Sequence, residues 1–254
     1  MRGRLLRHAV AAFAGTWLAS AATAAEAPVL PRLDWSFSGL FGTFDPAARQ
    51  RGFQVYREVC ANCHAMKQLR YRDLAALGYD EEQVKVFAAE AEVVDGPNDD
   101  GDMYKRPGRP ADKFKAPFAN DQAARAVNNG ALPPDLSLIV KARADGANYV
   151  YGILTGFGDA PAEVTVMPGL NYNKVFPGRQ IAMPQPLQPD LVTYADGTQA
   201  TLDQQARDIV TFLAWAAEPE LEARKALGVK TILFLLVFTG LLYAVKRRVW
   251  ARLH

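Results

Sequence analysis

Apolar and polar residues alternate along most of the chain with helical spacing. From Arg49 to Val59, Phe53, Tyr56 and Val59 recur at i, i+3 and i+6, and from Glu81 to Val93 the residues Val84, Phe87 and Ala88 share one face. Gln122 to Asn129 reads as a short helix stopped by Asn128-Asn129-Gly130, and Tyr149 to Leu154 as another closed by Gly156. Thr201 and Gln204 have capping-box spacing, followed by an amphipathic stripe of Ile209, Phe212, Leu213 and Ala216. Pro219 marks the start of a further helix that continues into the apolar C-terminus. Strand signals are few: Leu191 to Tyr194, an Ala195-Asp196-Gly197 turn and Thr198 to Leu202 predict one small hairpin. Asp159 to Pro189 is proline-rich yet carries Val164, Val166, Leu170, Tyr172, Val175, Phe176 and Ile181. That apolar content predicts an ordered loop covering a surface rather than a linker. The pattern as a whole predicts a mainly α-helical domain with long ordered loops.

The two ends depart from it. Arg2, Arg4 and Arg7 precede the apolar run Ala9 to Ala22, and small residues follow in Ala22-Thr23-Ala24-Ala25. This is the order of a secretory signal, with cleavage expected after Ala24 or Ala25; the run is too short for a bilayer core, which needs about 20 helical residues. At the other end, Thr231 to Val245 is continuously apolar, extended by Ala226 to Val229 and flanked by Lys230 and Lys246-Arg247-Arg248. A snorkelling Lys230 and a basic tail predict a single transmembrane helix with its tail on the cytoplasmic side. The expected division is a signal over 1–25, an exported body over 26–225, a transmembrane helix over 226–246 and a basic tail over 247–254. Such a chain sits in a bacterial inner membrane with its body on the periplasmic side.

At 254 residues, 50% apolar and 22% charged, the chain is neither disordered nor polytopic. The net charge of +2 conceals a split: three Arg precede Glu26 and five Lys or Arg follow Lys225, leaving 21 bases among 27 acids between them. A body of net charge −6 excludes a phosphate-neutralising nucleic-acid binder and favours a basic protein partner.

The only two cysteines lie in Cys60-Ala61-Asn62-Cys63-His64. C-x-x-C-H is the attachment motif of a c-type haem: two thiols meet the two vinyl groups, and the adjacent imidazole reaches the iron. A thioredoxin-like pair needs a βαβ setting, which the pattern lacks, and a zinc site needs two more ligands. The other histidines are His8 in the signal and His254 in the tail. With His64 alone in the body, the iron is five-coordinate or its other axial ligand is a methionine, the usual partner in electron-transfer cytochromes. Met66 is too close to His64 to cross the ring, Met103 lies in a charged loop, and Met167 precedes Pro168 in the proline-rich stretch. Met183, held between Ile181-Ala182 and Pro184-Gln185-Pro186, is the preferred ligand, with Met167 next.

Several blocks around this motif resemble the cytochrome c1 family, the haem-bearing subunits of the cytochrome bc1 complex. They are Arg51 to Tyr56, Asp95 to Asn98, Asn128 to Ser137 (NNGALPPDLS), Ile181 to Pro184 and Ala216 to Glu220. The resemblance implies an enlarged class I cytochrome c-like domain on one C-terminal transmembrane helix and one covalent haem c. It also implies Met183 as sixth ligand, Arg143 and Tyr149 at a haem propionate, and Asn128 and Pro134 lining the haem crevice. Read from the residues alone, Arg125 serves a propionate as well as Arg143, Pro133-Pro134 is equally a loop stop, and Tyr149 is equally core. The implied partners are cytochrome b, a Rieske iron–sulfur subunit as electron donor, and a soluble or membrane-bound cytochrome c as acceptor.

Asp80 to Asp102 holds nine acids against Lys85, a local charge of −8. A run of this kind is either a solvated face or a docking field for a basic cytochrome, the latter centred on Asp95, Asp99, Asp100 and Asp102. Two functions follow: an electron carrier with six-coordinate iron, or a haem subunit of another periplasmic dehydrogenase or oxidase. The second needs an open iron position and an acid–base constellation, and the sequence offers no such constellation.

Overall fold

The computed structural model describes residues 29–252; the predicted signal segment lies outside them. The first helix, α1 (Pro46–Glu58), starts where Asp45 accepts hydrogen bonds from the amides of Ala47 and Ala48, with Pro46 at the first helical position. It buries Gly52, Phe53, Val55 and Tyr56. After a 3₁₀ turn at Cys60–Asn62 and a longer one at Tyr71–Leu77 comes α2 (Glu81–Ala89), capped reciprocally by Asp80 and Gln83. The strands β1 (Glu92–Asp95) and β2 (Tyr104–Pro107) form an antiparallel pair. Next come α3 (Asp121–Val127), α4 (Gly146–Thr155), the two-residue pair β3 (Asn171–Tyr172) and β4 (Gln180–Ile181), α5 (Leu202–Ala217), and α6 (Leu221–Trp250).

The core forms where α1 crosses α5. Helix α5 begins as its sequence predicts, with the Thr201 hydroxyl accepting from Gln204 N, and buries Ile209, Phe212 and Leu213. Phe212 meets Phe53 at a centroid distance of 5.8 Å and Tyr56 at 5.9 Å, and Phe114 closes the group from the other side at 6.1 and 6.0 Å. Arg51 and Asp208 seal the crossing: the guanidinium Nε and Nη2 donate to the two carboxylate oxygens at 2.9 and 3.0 Å. Hydrogen bonding to the Asp208 carboxylate is the main reason the Arg51 guanidinium is held charged.

Two sequence expectations are corrected. Glu81 to Val93 is not one helix: α2 ends at Ala89, and Glu92 to Asp95 turns into β1. The turn is fixed by Gly108, whose amide donates to Ala91 O at 2.7 Å, and by the Glu92–Lys105 and Asp95–Arg106 ion pairs across the strands. The expected hairpin over 191–202 does not form. Val192 and Tyr194 are buried, but their segment is held by side chains. The Gln205 amide donates to Gln188 O and Ala200 O at 2.7 and 2.6 Å, Asp196 accepts from Thr198 N and pairs with Arg51, and Thr201 is used as the cap of α5.

The proline-rich stretch is an ordered covering, as its apolar content predicts. Asn173 is fully buried; its Nδ2 donates to Ile153 O, and its Oδ1 accepts from Val175 N and Phe176 N. Val175 and Leu187 are buried beneath the loop. Helix α6 stands apart: of its thirty residues only Leu221 is buried, and it is long and apolar enough to cross a membrane.

Candidate functional site

The C-x-x-C-H segment begins at the C-terminal end of α1. Asn62 Nδ2 donates to the carbonyls of Glu58 and Val59 at 3.2 and 3.1 Å, occupying acceptors the helix end leaves free. Cys63 N and His64 N both donate to Cys60 O, at 3.1 and 2.9 Å, which winds the five residues into one tight turn. Tyr56 Oη donates to His64 O at 3.2 Å and ties the turn back to α1.

A second segment, Pro134 to Ser137, runs beside this turn. Leu136 N donates to Ala65 O at 2.9 Å, Lys67 N to Asp135 Oδ2 at 2.9 Å, and Gln68 N to Ser137 Oγ at 3.1 Å. The contact that matters chemically is between His64 Nδ1 and Pro134 O, at 2.8 Å. A carbonyl oxygen only accepts, so Nδ1 carries the proton and Nε2 presents a lone pair. Burial lowers the His64 pKa, against smaller opposing effects of the Pro134 carbonyl and Asp135, and so favours the neutral ring a metal requires.

Cys60 and Cys63 are unpaired. Burial, then the proximity of Cys63, pushes the Cys60 thiol up to about 12. That is opposite to the lowered thiol of a thioredoxin-type redox pair.

Among the methionines, Met66 is fully buried in the core, while Met103 and Met167 are 60% and 59% exposed. Met183 is half-buried, two residues beyond β4, and its carbonyl accepts from Asn171 Nδ2 at 3.3 Å. The turn after α3 meets the same loop: a Cβ on Gly169 would lie 2.0 Å from Asn129 Nδ2. Asn128 is the C-cap of α3, with its side-chain amide bonded to Ala124 O at 2.7 Å. Tyr149 sits half-buried against the core. Arg125 bonds Gly130 O and Arg143 bonds Ala142 O; both are exposed and outside any ion pair among the described residues, so the geometry does not separate them. Asp135, Ser137, Asn62 and Asn171 are positioning residues that sequence reasoning did not single out. Asp135-Leu136-Ser137 carries a local turn signal, Ser137 N donating to Asp135 Oδ1, but its pairing with 67–68 has none.

Two free thiols three residues apart, an imidazole with a committed Nδ1 and a half-buried thioether fit a c-type haem.

The acidic run is less uniform than its sequence. Lys85 bridges Glu81 and Glu82, Arg57 lies 3.5 Å from Glu90, Lys105 pairs with Glu92, and Arg106 pairs with Asp95 and with Asp112. Of the run's exposed carboxylates outside ion pairs, Asp80 caps α2 and the other three, Asp99, Asp100 and Asp102, lie together in the β1–β2 loop.

The family model for the Cytochrome C1 family matches residues 35–253. Cytochrome c1 of Rhodospirillum rubrum is 50% identical over 250 residues, 92% of this chain and 92% of that protein. A mitochondrial cytochrome c1 heme protein of Arabidopsis thaliana is 52% identical over 231 residues, 91% of this chain and 75% of that protein. A cytochrome b/c1 of Bradyrhizobium diazoefficiens is 49% identical over 246 residues, 88% of this chain but 36% of that longer protein. With its haem-type turn, mainly helical body and, among the described residues, one helix apolar and long enough to cross a membrane, the chain belongs to the cytochrome c1 family of haem-carrying bc1 subunits.

Proposed function

We propose that the chain is the membrane-anchored electron carrier of a quinol–cytochrome c reductase, holding one covalent haem c. Haem bound here supplies one-electron chemistry between ferric and ferrous iron. Cys60 and Cys63 would hold it by thioether links, and His64 and Met183 would supply nitrogen and sulfur ligands to its iron. Asn128, Pro134 and Tyr149 line the crevice, and Arg143 or Arg125 neutralises a propionate. The observation that carries this reading is the His64–Pro134 contact, which fixes the tautomer and the ring direction a proximal ligand needs. A half-buried Met183 offers a thioether as a second ligand to the iron, and an iron held by both His64 and Met183 would favour a carrier over an enzyme.

In this reading the chain takes an electron from a Rieske iron–sulfur subunit beside cytochrome b and gives it to a cytochrome c. The signal over 1–25 and the basic tail support a body on the periplasmic side of a bacterial inner membrane, anchored through 226–246. Acid–acetone treatment of the purified chain tests the covalent link. Haem stays with the polypeptide if Cys60 and Cys63 hold it; haem in the organic phase overturns the assignment.

A further inference from the structure

The segment from Trp35 to Phe44 is a closed loop. Ser38 N donates to Trp35 O at 2.9 Å and Thr43 N to Ser36 O at 3.0 Å, and Gly39 takes the left-handed φ of +70° that the bend needs. Its inward residues are aromatic and buried: Trp35 stacks on Phe37 at 5.5 Å, and Phe37 meets Phe44 at 5.1 Å. Its tip, Ser38-Gly39-Leu40-Phe41-Gly42, carries no charge, and Leu40 and Phe41 are 57% and 80% exposed. Two adjacent large apolar residues at an exposed loop tip are unusual for a water-facing turn.

The loop is fastened to the first turns of α6. Lys225 Nζ donates to Phe37 O at 2.7 Å and to Gly42 O at 3.0 Å, and Phe44 N donates to Glu222 Oε1 at 2.8 Å. A helix over 226–245 is about 30 Å long, the thickness of a bilayer's hydrocarbon core. Lys225 is then the first residue above that core, its ammonium lies at headgroup depth, and Gly42 and its neighbour Phe41 share that depth.

We infer that the Leu40–Phe41 tip is a second membrane contact, seated in the headgroup–acyl boundary of a lipid bilayer beside the anchor. Continuity with α6, the absence of charge and the aromatic at interface depth select lipid as the occupant. Because three hydrogen bonds lock the loop to α6, tip and helix act as two points on one rigid piece, and the body cannot swing freely about Lys225. The inference rests on α6 as the membrane span.

Nitroxide labels on Phe41→Cys and Leu40→Cys test it, in the full haem-loaded chain in phosphatidylcholine liposomes. Leu236→Cys marks the span, and Asp99→Cys marks water. The tip labels should collide more with dissolved oxygen than with a water-soluble nickel chelate, in the same sense as Leu236 and opposite to Asp99. Nickel collision at the Asp99 level overturns the inference, as does low access to both reagents, which would mean that protein covers the tip. A Leu236 label that behaves like Asp99 removes the span itself, a failure distinct from that of the tip.

Discussion

A Cβ on Gly52 would lie 2.1 Å from the carbonyl oxygen of Asp208 and 2.7 Å from Phe212 Cβ. Backbone touches backbone where α1 crosses α5, and the turn bearing Cys60 to His64 leaves the end of that same α1. Gly52→Ala must force the helices apart, at a cost of about 3 kcal/mol by overpacking. The expected outcome is a haem-loaded protein whose Tm is lower by about 10 °C. An unchanged Tm by circular dichroism would show that the crossing yields freely.

Acid should weaken the body through specific carboxylates. The Arg106 guanidinium holds Asp112 down to about 2, and the Thr198 amide followed by Arg51 holds Asp196 down to about 2. Their unfolded value is about 3.9, so the stability they contribute is fully present above that pH and is lost as pH falls toward 2. Tm should hold from pH 7 to 5 and decline below 4, and Asp112→Asn should make that decline shallower. An identical decline in the variant would remove Asp112 from the account.

Met183→Leu removes the one half-buried methionine among the described residues. The ferrous form should then bind carbon monoxide, and the reduction potential should drop by roughly a hundred millivolts or more, since the axial ligand is a major lever on it. Met167→Leu should leave both properties as they are. The reverse pattern would transfer the ligand role to Met167.

Much of this was legible in the sequence because it is encoded locally. Thr201 with Gln204 announces a helix start, and Cys60 to His64 is a contiguous motif whose chemistry depends on spacing alone. The errors arose where distant residues decide. Val84, Phe87 and Ala88 continue a helical stripe toward Val93, but Lys105 and Arg106 capture Glu92 and Asp95 into a strand pair. Val192 and Tyr194 alternate like a strand, yet Gln205 binds the Gln188 and Ala200 carbonyls on either side of them and Arg51 takes Asp196. The Pro134 carbonyl on His64 crosses 70 positions, and no local signal foretells it.

On the docking reading the acidic segment steers through Asp99, Asp100 and Asp102, because Asp95 is engaged by Arg106. Screening lengths shorten from about 30 Å at 0.01 M salt to about 8 Å at 0.15 M. Association with a basic cytochrome c should therefore slow over that range, and the triple Asp→Asn variant should show a flatter dependence with an unchanged haem spectrum. Asp95→Asn alone should change the slope least. Parallel slopes for wild type and triple variant would reject docking through this loop.

The carrier assignment is tested most directly by following the haem α-band in membranes holding the assembled complex. Added quinol should reduce this haem, a quinol-site inhibitor should prevent that reduction, and oxidised cytochrome c should reoxidise it within the same experiment. A haem that stays oxidised under quinol, or one that stays reduced when oxidised cytochrome c is supplied, would contradict the account.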